Sequence, residues 1–190
     1  MNDSTTNSKD DTADAAIWRK ALIVAAHAHA KQSVPDSTLP YLVHVTEVAF
    51  EALGALNVEP GLNRNLVIAC ALLHDTIEDT GMTRDALEKD FGTAVAYGVS
   101  ALSKNPELTK RDAMEESLQR ICLCPKEVWV VKLADRIVNL AEPPSYWSND
   151  KRREYQDVAV LIADTLGSAS PFLNQRIRLK IQQYSRFISS

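Results

Sequence analysis

Apolar residues recur every three or four positions along most of the chain, which is the spacing of an amphipathic helix. One apolar face runs from Ile17 to Ala28 and a second from Val45 to Leu53. The same pattern predicts further helices over residues 63–75, 83–90, 93–102, 109–122, 125–140, 149–166 and 171–187. The hydrophobic pattern therefore predicts an all-α fold in which the helices form a bundle.

Prolines and glycines support this assignment. Pro125 and Pro171 mark helix starts, because a proline in the first turn loses no hydrogen bond that the helix could have made. Only six of the 190 residues are glycine, whereas a protein of many hairpins needs more positions with positive φ. The β-branched run 128–131 would also suit a buried strand. We predict a helix there, because Leu133 and Ile137 continue the helical period.

Length and composition indicate a single globular domain. The chain has 190 residues, of which 45% are hydrophobic and 24% charged, as in average soluble domains. Residues 1–14 are rich in aspartate and contain almost nothing to bury, so we predict a disordered acidic tail there. The folded domain is then expected to span residues 15–190.

Charge and segment composition exclude several classes of protein. The net charge of -4 provides no basic field for a nucleic-acid polymer, so an anionic ligand has to be held locally. The longest apolar run, 66–73, is too short to cross a membrane, and residues 1–15 lack the features of a secretory signal. We therefore expect a cytoplasmic protein without a membrane partner. Cys70, Cys122 and Cys124 have no metal-site spacing and are interpreted as ordinary thiols. Apolar helix faces leave a homo-oligomer open.

Candidate chemistry is concentrated in the segment 71–80, where an apolar helix runs into ionisable side chains. His74 and Glu78 are four residues apart, as are Asp75 and Asp79, so a continuing helical turn places both pairs on one surface. Adjacent histidine and aspartate can bind one divalent metal, with the two later carboxylates acting on a water molecule. The alternative is an ordinary polar helix end facing solvent.

Two other polar residues lie in apolar surroundings. His44 begins a predicted apolar helix, where a lone imidazole would usually be a capping or core histidine. Asp135 interrupts another apolar helix and needs a buried partner, either a metal or a cation. Lys132, Arg136 and Asn139 share its helical face, so an internal salt bridge is the alternative to a metal site.

Together these residues supply two imidazoles and two carboxylates, a set suited to Mn²⁺, Fe²⁺ or Zn²⁺. At this point the sequence resembles the HD superfamily of metal-dependent phosphohydrolases, and within it the small alarmone hydrolases of the Rel/SpoT family. The matching motifs are Ala28-His29 with Gln32, Pro40-Tyr41 with His44, Leu72-Leu73-His74-Asp75 with Glu78-Asp79-Thr80, Phe91-Gly92, Lys132-Leu133-Ala134-Asp135-Arg136 with Asn139-Leu140, Trp147, and Glu154-Tyr155. The resemblance covers about residues 15–187 and implies a single HD-domain helical bundle.

The resemblance implies a reaction and the residues that perform it. The family removes the 3′-pyrophosphate of guanosine tetra- or pentaphosphate, the nucleotides of the stringent response, usually with Mn²⁺; Fe²⁺, Co²⁺ and Zn²⁺ are alternatives. Glu78 and Asp79 match the acid pair that positions and activates the attacking water. The implied metal ligands are His44, His74, Asp75 and Asp135.

The resemblance also implies substrate contacts. Asn139 and Tyr155 match positions that touch the nucleotide sugar or phosphates. Lys104 lies in a segment that supplies charge to the distal phosphates, together with Lys110 and Arg111. The remaining predicted contacts are Lys31, Lys132 and Arg136.

One departure leaves the nucleobase open. In the family, the loop after the glutamine carries a basic residue that stacks on guanine, whereas residues 33–39 here contain no Arg or Lys. The resemblance therefore implies an alarmone substrate of the ppGpp or the ppApp type. The alternatives are another HD phosphohydrolase, such as a 5′-nucleotidase or an NADPH 2′-phosphatase, and a catalytically idle helical module that binds a nucleotide or a protein.

Overall fold

The structure is a computed structural model that describes residues 7–188, with side chains from Asp14 onward. Its ten α-helices are α1 (Asn7–Ala28), α2 (Leu42–Val58), α3 (Arg64–Leu73), α4 (Thr76–Asp79), α5 (Arg84–Phe91), α6 (Thr93–Leu102), α7 (Lys110–Cys122), α8 (Lys126–Asn139), α9 (Asn149–Leu166) and α10 (Pro171–Tyr184). Short 3₁₀ turns follow α9 and α10. Within the described residues there is no β-strand, only an isolated bridge between Ser33 and Pro40. The predicted all-α fold is confirmed.

The predicted helices match the observed ones closely. The β-branched run 128–131 lies inside α8, which buries most of that run together with Leu133 and Ile137. The predicted helix is therefore correct, and the strand alternative is wrong. Pro171 is the first residue of α10, as expected. Pro125 instead precedes α8 as its N-cap, because its ψ of 155° is extended rather than helical.

The start of α1 differs from the expectation. The helix begins at Asn7, so residues 7–14 extend it instead of forming the predicted disordered segment. Asp14 accepts a hydrogen bond from Asn65 Nδ2 at 2.5 Å. This contact with α3 stabilises the helix at residue 14. The composition of residues 1–14 does not reveal such a contact. The rest of the predicted acidic tail, residues 1–6, lies outside the described residues.

The longest apolar run of the sequence forms the centre of the fold. Every residue from Leu66 to Leu73 in α3 is buried, and α1, α2, α6 and α8 pack around this helix. Gly98 lets α6 approach α3 closely, since a Cβ there would lie 3.0 Å from Cys70 Sγ. Among the described helices, none combines the length and apolar character that crossing a membrane requires. All three cysteines are free thiols, as expected.

Candidate active site

Four predicted ligand residues meet where α2, α3 and α8 pack together. His44 lies in the first turn of α2, His74 directly follows α3, Asp75 is the N-cap of α4, and Asp135 lies in α8. The two histidines and Asp135 are buried, and Asp75 is partly buried. Helix packing therefore gathers residues that are up to 91 positions apart in the sequence.

The spacing of the donor atoms suits one divalent metal ion. Asp75 Oδ2 lies 2.9 Å from His74 Nε2 and 3.6 Å from His44 Nε2. Asp135 Oδ1 lies 3.6 Å from His44 Nε2 and 3.7 Å from His74 Nε2. Ligands about 2.1 Å from a common ion are roughly 3.0–3.4 Å apart. The two imidazoles and two carboxylates thus fit around one ion, with His44, His74 and Asp75 forming the tightest group.

The hydrogen bonds of His74 leave one ring nitrogen available. Its Nδ1 lies 2.8 Å from the carbonyl oxygen of Ala71, which can only accept, so Nδ1 carries the proton. In the neutral ring, Nε2 then presents a lone pair to the cluster. Nε2 is buried, and its approach to Asp75 lacks hydrogen-bond geometry. An orphaned buried nitrogen of this kind is expected at a metal ligand.

Neighbouring side chains orient the two carboxylates. Tyr41 OH donates to Asp75 Oδ2 at 2.5 Å. Lys132 Nζ donates to Asp135 Oδ2 at 3.1 Å, and Asn139 Nδ2 donates to Asp135 Oδ1 at 2.5 Å. The internal salt bridge considered for α8 therefore forms, and it leaves Asp135 Oδ1 facing the histidines.

Without a metal, a proton on His74 balances part of the negative charge of the two carboxylates. Burial opposes a charge on His74, but Asp75 and Asp135 outweigh it and raise the pKa of His74 well above 6.5. Burial likewise opposes ionisation of both carboxylates. His74 outweighs it at Asp75, and Lys132 does so first at Asp135, so that both carboxyl pKa values fall below their usual range. A proton on His74 thus occupies the place that suits a cation.

We expect Mn²⁺ binding at pH 7 to release about one proton, because a histidine ligand must be neutral. The folded-state pKa of His74 is raised, so its protonation stabilises the metal-free protein below pH 6.5, and this stability is lost as pH rises. The melting temperature of the metal-free protein should then fall above pH 6.5, and Mn²⁺ should reduce that fall. Calorimetry in two buffers of different ionisation enthalpy counts the protons. Binding without proton release would contradict the assignment of His74.

The acid pair lies one turn beyond the cluster. The helical path continues, since the Asp79 amide donates to the Asp75 carbonyl at 2.9 Å. Both oxygens of Glu78 are engaged by Lys104, one by its backbone N–H at 2.8 Å and the other by Nζ at 2.6 Å. The Asp79 carboxylate has no hydrogen-bond partner among the described residues. Burial, followed by the charges of Asp75 and Glu78, raises its pKa.

A cavity of about 910 Å³ opens onto the cluster and the acid pair. This size suits a small-molecule ligand. Six cationic side chains line it even though the whole chain is acidic: Lys104, Lys110, Arg111, Lys132, Arg136 and Lys151. The local concentration of positive charge expected for an anionic ligand is therefore present.

Arg136 is the most unusual of these cations. Its side chain is only 5% exposed, and its guanidinium lies 4.3 Å from the ring centroid of Tyr155. Nε and Nη1 are buried without a hydrogen-bond partner. Buried donors of a charged group normally have partners, so an anion in the cavity would satisfy them.

The predicted substrate-contact residues separate into two groups. Asn139 and Tyr155 line the cavity, as do the predicted cationic contacts other than Lys31. Lys31 is exposed and is not among the described cavity residues. The loop 33–39 also contributes no described residue to the cavity wall.

The sequence did not predict the apolar wall of the cavity. Leu108 lines it from the segment before α7, Met114 from within α7, and Val158 and Leu161 from α9. Leu108 and Leu161 are each 39% exposed, which is high for leucine. The three-residue spacing of the α9 pair was a usable signal, but it is also the spacing of an ordinary core face.

Comparisons with known proteins agree with this architecture. The guanosine-3′,5′-bis(diphosphate) 3′-pyrophosphohydrolase MESH1 of Xenopus tropicalis is 30% identical over 171 residues, covering 87% of this chain and 93% of that protein. The human MESH1 protein is 30% identical over 176 residues, covering 90% and 96%. The GTP pyrophosphokinase of Myxococcus xanthus is 34% identical, but the match spans only 21% of it.

A solved structure and a family model lead to the same group. The structure of a metazoan ortholog of SpoT, a protein that hydrolyzes ppGpp, superposes with a TM-score of 0.73 and 27% identity, covering 90% of this chain and 94% of that one. The family model of an HD domain matches residues 21–168, which contain the complete histidine and aspartate cluster. This chain belongs to the HD domain family.

Proposed function

We propose that this protein hydrolyses the 3′-pyrophosphate of alarmone nucleotides of the ppGpp or ppApp type and releases pyrophosphate. The observation that carries the proposal is the content of one cavity. It combines the two carboxylates of the His/Asp cluster, the acid pair and two guanidinium nitrogens of Arg136 that have no hydrogen-bond partner. The named activity of the MESH1 relatives supports the same reaction.

We assign the metal to His44, His74, Asp75 and Asp135. A bound divalent ion lowers the pKa of water and polarises a phosphoryl oxygen, which is the chemistry that hydrolysis at neutral pH needs. The mixed nitrogen and oxygen donors suit Mn²⁺, with Fe²⁺, Co²⁺ and Zn²⁺ as alternatives. Metal analysis of the purified protein, followed by removal and separate replacement of each ion, distinguishes these metals.

Within the acid pair, we assign the proton transfer to Asp79. Its carboxylate has no competing hydrogen bond, and its raised pKa makes it a better base than an ordinary aspartate. Glu78 is held in place by the two contacts from Lys104. We therefore assign to Glu78 the positioning of the attacking water.

Side chains of α8 and α9 are placed to bind the negative charge of the substrate phosphates. Arg136 offers two free donors, which match the geometry of phosphate oxygens, and Lys132 lies one turn earlier on the same face. Asn139 and Tyr155 complete this side of the cavity. Lys104, Lys110 and Arg111 on the facing wall suit the distal phosphates. The predicted contact from Lys31 has no support in the cavity geometry.

Product identification tests the proposal. The protein with Mn²⁺ is incubated with ppGpp, ppApp, NADPH and simple 5′-nucleotides, and pyrophosphate and orthophosphate are measured separately. Release of pyrophosphate from an alarmone is expected, and it also identifies the base that the loop 33–39 leaves open. Orthophosphate release would instead indicate a 5′-nucleotidase or an NADPH 2′-phosphatase. Absence of turnover with bound metal would favour an idle binding module.

Two further assignments belong to this proposal. Three free thiols are typical of a reducing compartment, so we place the enzyme in the cytoplasm. Sedimentation at several protein concentrations tests whether the protein forms the homo-oligomer that the sequence leaves open.

A further inference from the structure

The helix that carries the acid pair cannot hold its own position. α4 has only four residues, Thr76–Asp79. Isolated helices shorter than about 12 residues are marginal in water, because nucleation costs more than so few hydrogen bonds return. The placement of Glu78 and Asp79 relative to the cluster must therefore come from contacts with other parts of the chain.

Both ends of α4 are bound by the connection between α1 and α2. At the C-terminal end, Gln32 Nε2 donates to the Asp79 carbonyl oxygen at 2.7 Å. At the N-terminal end, Tyr41 OH donates to Asp75 Oδ2 at 2.5 Å. The two residues are also joined to each other, since the Tyr41 amide donates to the Gln32 carbonyl at 3.0 Å.

His29 fixes the orientation of this unit. The side chain is 2% exposed, and Nδ1 lies 2.5 Å from Gln32 Oε1. The amide oxygen can only accept, so Nδ1–H donates, and the Gln32 NH₂ group is directed at the Asp79 carbonyl. The His29 ring also packs against the Tyr41 ring, with centroids 4.8 Å apart. One buried histidine thus orients both contacts to α4.

We propose that His29, Gln32 and Tyr41 form a positioning unit that sets the distance between the acid pair and the ligand cluster. This inference rests on the proposed function, since it gives these residues a part in the same reaction. None of the three transfers a proton in it. Gln32 acts through the backbone of Asp79, and Tyr41 acts through the carboxylate of Asp75.

Gln32→Met and Gln32→Glu test the proposal. Both remove the donor to Asp79, and only the second adds a charge, so a shared effect reports the lost hydrogen bond. We expect kcat to fall at least roughly tenfold, as for other supporting contacts of metal sites, with little change in KM or Mn²⁺ affinity. Hydrogen exchange of the α4 amides in the metal-free protein should become faster. Tyr41→Phe should lower kcat and also weaken Mn²⁺ binding.

Gln156→Met is the matched control. Gln156 Nε2 also donates to a backbone carbonyl, that of Ile181 at 2.8 Å, but between α9 and α10 and outside the described cavity wall. It should lose similar stability without changing kcat or α4 exchange. If the wild type is active and both Gln32 variants keep a kcat within twofold of it, the inference is overturned. A wild type that turns over no alarmone would refute the proposed function instead, and hydrogen exchange of the α4 amides would still report on the positioning unit.

Discussion

Asp75→Asn is expected to lower kcat/KM for the alarmone by roughly 10³-fold or more, because it removes a charged ligand from the centre of the metal cluster. Asparagine preserves the shape but not the charge, and Asp75 Oδ2 is the atom that approaches both His74 and His44. Mn²⁺ affinity should fall by roughly 100-fold. Steady-state kinetics and calorimetric titration with Mn²⁺ measure the two effects.

The matched control for this change is Asp164→Asn. Asp164 is an exposed aspartate near the C-terminal end of α9, pairs with Arg178 at 2.9 Å and is not among the described cavity residues. Its replacement should leave both activity and Mn²⁺ affinity unchanged. Wild-type turnover by Asp75→Asn at saturating Mn²⁺ would show that the cluster does not hold the catalytic metal.

Asp79→Asn is expected to reduce kcat by roughly 10²–10⁴-fold, the usual range for a general base. KM and Mn²⁺ affinity should change little, since Asp79 is not among the assigned ligands. A base is active when ionised, so wild-type activity should fall as pH drops through the raised pKa of Asp79. That limb of the pH profile should disappear in the variant.

Glu78→Gln distinguishes the two acids. It removes the ion pair with Lys104 but leaves Asp79 in place. We expect a smaller loss of kcat and a retained acid limb in the pH profile. If the acid limb of the pH profile is lost in Glu78→Gln and preserved in Asp79→Asn, Glu78 is the base and Asp79 positions the water.

Local pattern determined most of the fold. Helices α6 and α9 begin and end where the spacing of apolar residues predicted, because the helical period is a property of neighbouring residues. The spacing of Asp75 with Asp79 was equally local, and the observed turn, in which the Asp79 amide donates to the Asp75 carbonyl, confirms it. The sequence therefore determined the elements and the chemical types at the site.

The tertiary structure decided which partner each charged group has. Lys104 was predicted as a substrate contact; it lines the cavity and also binds Glu78, which is 26 residues away in the sequence. Lys132 pairs with Asp135, whereas Arg136 on the same helix stacks on Tyr155 and leaves Nε and Nη1 without a hydrogen-bond partner. The helical face that Lys132 and Arg136 share does not predict this difference. It arises because α9 packs against α8 and places Tyr155 against Arg136.

The sequence identified Gln32 and Tyr41 as motif residues, but only the tertiary structure showed what they contact. Residue types and spacing identified Gln32 and Tyr41 as parts of a family pattern, but neither received a role from the sequence alone. Their contacts reach 47 and 34 positions along the chain, to the two ends of α4. Such contacts depend on how α1, α2 and α3 pack, and helix packing is set by the summed burial of many side chains rather than by any local pattern.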